Sequence, residues 1–253
     1  MKKLVLAIVF LAFGATATSL CAGEVTNAVI FGDGVSNGSW TLDRSNGIEL
    51  GLRGKVRFDA TGQPQNTFNY DGIDTYTFQS GQPEVGGFGF APGSSSTAKW
   101  SFEWSINSSF DGSGGNLNAY DYLLDIDFDP SAGTNFQSFD PINVSLADHA
   151  IGNNSTANGD GDIADDDDDY KDLIADNNLA QNSWNMEFFD DGSFPFNANQ
   201  NGTYTFQLTA YEKGTSNVLA STSMIVNTVP EPTTILSFAC IALLPLVRRR
   251  SRR

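Results

Sequence analysis

The chain has 253 residues, with 30 Asp and Glu against 14 Lys and Arg, 12% aromatic residues, one His and two Cys. A length of this order suits one β-sandwich as well as two smaller domains, and 40% hydrophobic residues exclude a wholly disordered chain. A pI near 4.2 excludes a nucleic-acid binder, because a polyanion is repelled.

Residues 1–22 read as a secretory signal peptide. Lys2 and Lys3 form the basic start, Leu4–Phe13 is an unbroken apolar run, and small residues follow, with a cleavage site near Ala22 or Gly23. Export through the Sec translocon is expected. A lipoprotein signal acylated at Cys21 needs a small residue before the cysteine, and Leu20 stands there.

The body, 23–228, carries seven basic and 29 acidic residues, a net charge of 7 − 29 = −22. Cys21 falls in the signal and Cys240 in the tail, so the body forms no disulfide, although its compartment permits them. Strands are predicted at 25–31, 39–43, 47–59 and 66–79, divided by turn pairs such as Asn46-Gly47 and Asp71-Gly72. Ala98–Asn107 alternates without a break. Ala98, Trp100, Phe102, Trp104 and Ile106 share one face, and Lys99, Ser101, Glu103, Ser105 and Asn107 share the other, which predicts a strand with one wet face. Asn118–Phe128 turns Tyr120, Tyr122, Leu124, Ile126 and Phe128 inward and its acids outward. Residues 163–180 break the pattern: Tyr170, Leu173 and Ile174 share a helical face, and Asp165–Asp169 sit where a helix N-terminus favours negative charge. Strands return at 184–189, 203–211 and 217–227. The predicted fold is all-β, a single antiparallel, jelly-roll-like β-sandwich with one short helix, flanked by the signal peptide and a hydrophobic tail.

The C-terminus, 229–253, has three parts in order. Val229-Pro230-Glu231-Pro232 comes first, then the mostly apolar Thr233–Val247, then Arg248, Arg249, Arg250, Arg252 and Arg253 around Ser251. Fifteen residues make a marginal membrane span, and the arginines keep their end cytoplasmic while the body is exported. A plain tail anchor is the simpler reading. With the N-terminal signal, however, this arrangement resembles the PEP-CTERM sorting signal. The resemblance implies an exosortase-like membrane protease that reads the tripeptide and removes the tail. It also implies a Gram-negative cell that makes exopolysaccharide, with an inner-membrane-anchored precursor delivered to the outer surface or matrix. Trp100–Asn107, Asp125–Pro130 and Gln181–Asn185 also look like stretches of other PEP-CTERM surface proteins, a group that implies no particular activity.

Little in the body points to catalysis. Any Ser-His-Asp system must use His149, and Gly112-Ser113-Gly114 reads as a loop, not as a strand-to-helix nucleophile elbow. One His without Cys argues against zinc. With 29 acids, carboxylate pairs at glycosidase spacing arise by chance. Calcium is the metal the oxygen donors suit. Asp125-x-Asp127-x-Asp129 opens like an EF-hand loop, but Pro130 replaces the required Gly and Phe136 the bidentate Glu. Asp160 and Asp162, in a Gly-rich turn before Asp165–Asp169, form a second candidate, against a solvated helix start. Trp40 and Trp184 are candidate sugar platforms, whereas Trp100 and Trp104 belong to the core by their parity. The expectation is a structural or adhesive surface protein, not an enzyme, that associates with exopolysaccharide. The alternative is a carbohydrate-binding module.

Overall fold

The computed structural model describes residues 38–59, 61–63, 65–83 and 94–231. The signal peptide, the strand expected at 25–31 and the tail from Pro232 onward lie outside the described residues. Among the described residues ten strands are present: β1 (Thr41–Ser45), β2 (Ile48–Val56), β3 (Thr75–Gln79), β4 (Trp100–Asn107), β5 (Tyr120–Asp127), β6 (Phe136–Phe139), β7 (Ala150–Gly152), β8 (Leu179–Trp184), β9 (Gly202–Glu212) and β10 (Val218–Val229). One helix, α1 (Asp167–Asp176), joins them.

They form two five-stranded sheets, ordered β1-β2-β4-β8-β7 and β3-β10-β9-β5-β6. Pairing is antiparallel except between β3 and β10, which run parallel. The chain passes between sheets at β2–β3, β3–β4, β4–β5, β6–β7 and β8–β9, so neither sheet is a separate folding unit. The predicted all-β sandwich with one short helix is the architecture observed.

Alternation explains the core. Leu50, Leu52, Phe102, Trp104 and Ile106 of the first sheet face Leu124, Ile126, Tyr204, Phe206 and Leu208 of the second, all buried. Phe206 meets Phe102 at 4.8 Å and Trp100 at 6.2 Å between ring centroids. At Gly54 a Cβ would stand 2.7 Å from Phe78 of the facing sheet, so glycine admits that ring. The β1–β2 hairpin turns on Asn46 (φ 53°) and Gly47 (φ 77°), the left-handed pair that a two-residue hairpin loop requires.

Four expectations are corrected. The helix is shorter than 163–180. Asp166 caps it by accepting from the N–H groups of Asp168 and Asp169, and it ends before Asn177. Leu179–Trp184 then pairs with β4 as a strand, and 184–189 closes as a 3-10 turn, Met186–Phe189, capped by the Asn185 side chain. Within 66–79 only Thr75–Gln79 is strand, because Asp71 takes the N–H groups of Ile73, Asp74 and Thr75 and holds a turn. The outer face of β4 is not wet: Ser101, Glu103, Ser105 and Asn107 are all buried. β4 lies third of five strands, and its polar groups pair across the sheet. Glu103 bonds Arg53 and Lys55, Ser105 receives the Gln181 amide, and Asn107 receives that of Asn178.

Candidate functional site

The site is built at an incomplete sheet edge. β7 pairs only with Leu179–Gln181, so among the described residues Asn182–Trp184 of β8 have a strand, β4, on one side and none on the other. The connection ahead of β7 lies along that gap. There Asn182 Nδ2 donates to Asp148 Oδ1 and to His149 Nδ1, both at 3.0 Å. Between this connection, β8 and the Met186–Phe189 turn opens a cleft of about 490 Å³.

One wall of the cleft is aromatic. Trp184, half-buried, lies 5.2 Å from Phe189, 5.4 Å from Trp104 and 6.0 Å from Phe139 between ring centroids. The rim is apolar: Val144, Leu146 and Phe188 are 39%, 48% and 57% exposed, three of the seven exposed large hydrophobics among the described residues. Polar groups interrupt this lining. Asn182 Oδ1 accepts the Ser183 N–H at 2.7 Å, while the buried Ser183 hydroxyl has no hydrogen-bond partner. Arg57 and Asp148 are the two charged residues of the lining.

His149 forms part of the floor and is itself buried. Its Nε2–H donates to the Pro141 carbonyl at 2.6 Å, and Nδ1 accepts from Asn182, which defines the neutral tautomer. Burial pushes its pKa down to about 4, against the opposing pull of the Pro141 carbonyl and the Asp148 charge. At neutral pH the ring is uncharged and both nitrogens are engaged within the protein. The histidine of the cleft is therefore committed to structure.

The other predicted site residues lie elsewhere. Trp40 is buried beneath the first sheet's polar face, where its ring and that of Phe68 lie 4.2 Å and 4.4 Å from the Arg53 guanidinium carbon. It does not meet Trp184. Asp127 is fully buried, contrary to its outward parity, because its carboxylate accepts the N–H groups of Asp129, Asn135 and Thr205. Asp125 bonds the Ser138 hydroxyl, and Asp129 accepts the Ser131 N–H. Asp160 and Asp162 are exposed. Among the described residues no group of three His, Cys, Asp or Glu side chains is placed to hold a metal ion.

At the sheet's far end Val229 closes β10 opposite Gln79, and the Ser80 N–H donates to its carbonyl at 2.9 Å. Pro230 follows at once, and Glu231 pairs with Lys99. Pro232 and Arg248, Arg249, Arg250, Arg252 and Arg253 lie outside the described residues. No described helix is long and apolar enough to cross a membrane.

Sequence reasoning singled out Trp184 but not its partners Phe139, Phe189, Asp148, Asn182 and Ser183. The one available signal is the polar run Gln181–Asn185 around a tryptophan, which begins in the gap between the helix predicted at 163–180 and the strand predicted at 184–189. Compared with protein-family models, curated proteins and solved structures, the chain matches none.

Proposed function

We propose that this protein is exported, sorted through its C-terminal signal, and acts as a structural or adhesive component of the outer surface or exopolysaccharide matrix, without catalysis. One observation carries the sorting part. β10 ends at Val229 and Pro230-Glu231 follows with no spacer, Glu231 still pairing with Lys99. In the sequence the motif thus falls directly between the last strand and the apolar stretch, where a membrane protease would read it. A structural His149 and dispersed carboxylates support a non-catalytic body. The partners this reading requires are the Sec translocon and an exosortase-like protease.

The test is fractionation of cells expressing Pro230→Ala with Glu231→Ala. Full-length protein is expected to accumulate with the membrane. If the double variant is processed and released like the parent, a plain tail anchor replaces this reading.

A second reading, a carbohydrate-binding module, is favoured by the open cleft at Trp184. Polysaccharide pull-down is expected to be lost in Trp184→Ala. Trp40→Ala is expected to lower stability alone, since its ring covers Arg53 inside the protein.

A further inference from the structure

The second reading above leaves the ligand open, and the lining of the cleft narrows it. We infer that the cleft beside β8 takes an uncharged pyranose unit of a neutral polysaccharide, seated on Trp184 and hydrogen-bonded by Asp148. The inference rests on the carbohydrate-binding reading and adds to it the chemical class of the sugar and the residues that select it.

The volume, about 490 Å³, falls in the range of small-ligand pockets, about 300–1,000 Å³. A wholly apolar occupant suits the aromatic wall and the rim, but it covers the Asp148 carboxylate and offers it no donor, which opposes such binding. A pyranose satisfies both halves of the lining. Its C–H face lies flat against an indole, and its hydroxyls are donors to the carboxylate.

Charge selects among sugars. The lining holds one cation, Arg57, and one carboxylate, Asp148, while His149 is neutral, so no local excess recruits an anion. The body as a whole carries −22, which repels a uronate polymer on approach. Neutral hexose units carry no such penalty. Asn182 sets the geometry from behind: its amide holds Asp148 on one side, and its carbonyl fixes the Ser183 backbone on the other. Asn182 is thus a positioning residue for the Asp148 contact.

Full-length protein, purified in a mild detergent, is titrated calorimetrically with neutral gluco-, manno- and galacto-oligosaccharides, with oligogalacturonate, and with an apolar peptide. Binding of at least one neutral oligosaccharide is expected. Asp148→Ala and Phe188→Ser, both at exposed positions, should weaken it tenfold or more, and the distant exposed Ile73→Ser should leave it unchanged. Circular dichroism confirms that each variant is folded. Binding to oligogalacturonate alone overturns the neutral-sugar assignment and leaves the module reading standing. Binding to the apolar peptide alone, or to no saccharide, overturns both. Neutral-sugar binding untouched by the cleft variants overturns the site.

Discussion

His149 shows what burial does to one titratable side chain. Its folded pKa, near 4, lies below the ordinary value of 6.5, so the unfolded chain binds its proton first as pH falls. The stability this group contributes is complete above pH 6.5 and is lost as pH drops toward 4, by about 3 kcal/mol in all. Glu103 works in the same direction at lower pH. Burial alone raises its pKa, but Arg53 and Lys55 outweigh burial and hold it below the ordinary carboxylate range, so its protonation unfolds the protein further. The melting temperature is therefore expected to decline from pH 6.5 downward, before carboxylates titrate. In His149→Gln the limb between pH 6.5 and 4 should flatten, as measured by thermal melts at closely spaced pH. An unchanged limb assigns the loss to other groups.

Among elements, β4 is the most revealing. A strand with one apolar and one polar face reads as half-wet, yet its place between β2 and β8 buries both faces. The two faces are stabilised differently. Trp100→Ala or Phe206→Ala removes a ring from the inter-sheet core and is expected to cost about 3–5 kcal/mol. Gln207→Ala, on the half-exposed face of β9, should change stability by less than about 0.5 kcal/mol. Ser101→Ala is expected to stabilise by up to about 1 kcal/mol, because its buried hydroxyl has no hydrogen-bond partner. Chemical denaturation of the four variants checks the set. A Gln207 cost equal to that of Phe206 contradicts the observed parity.

On the scale of the molecule, charge is the dominant liability. A body with a net charge of −22 and no disulfide is destabilised by its own field. The acids do not gather into a cage. Asp125, Asp127 and Asp129 each serve hydrogen bonds of their own, and Asp160 and Asp162 stand exposed. Added salt is accordingly expected to raise the melting temperature by screening, which acts alike for sodium chloride and calcium chloride at the same ionic strength, so that an excess with calcium reports a bound cation. Calorimetric scans in the two salts test this. An excess with calcium that disappears in Asp160→Asn with Asp162→Asn assigns a calcium site to that turn. An excess that disappears in Asp125→Asn with Asp129→Asn assigns it to the end of β5.

The sequence by itself determined the class of fold and the parity of its main strands, because period-two alternation is written in neighbouring residues. Trp100, Phe102 and Trp104 are buried where that pattern places them, as are Tyr204, Phe206 and Leu208. The cap of α1 was equally local: five consecutive aspartates before Tyr170 mark a helix start, and Asp166 caps it. Only tertiary structure decided where α1 stops, since β4 recruits Leu179–Trp184 as a strand partner. It also decided that Asp127 is buried, through the N–H group of Asn135 across the β5–β6 turn and that of Thr205 far along the chain. The cleft is the clearest case. Phe139, Asp148, Asn182 and Phe189 are separated by up to fifty residues, and they meet because β7 is too short to cover the edge of β8. A missing strand neighbour leaves no local pattern, so that site had to come from the fold.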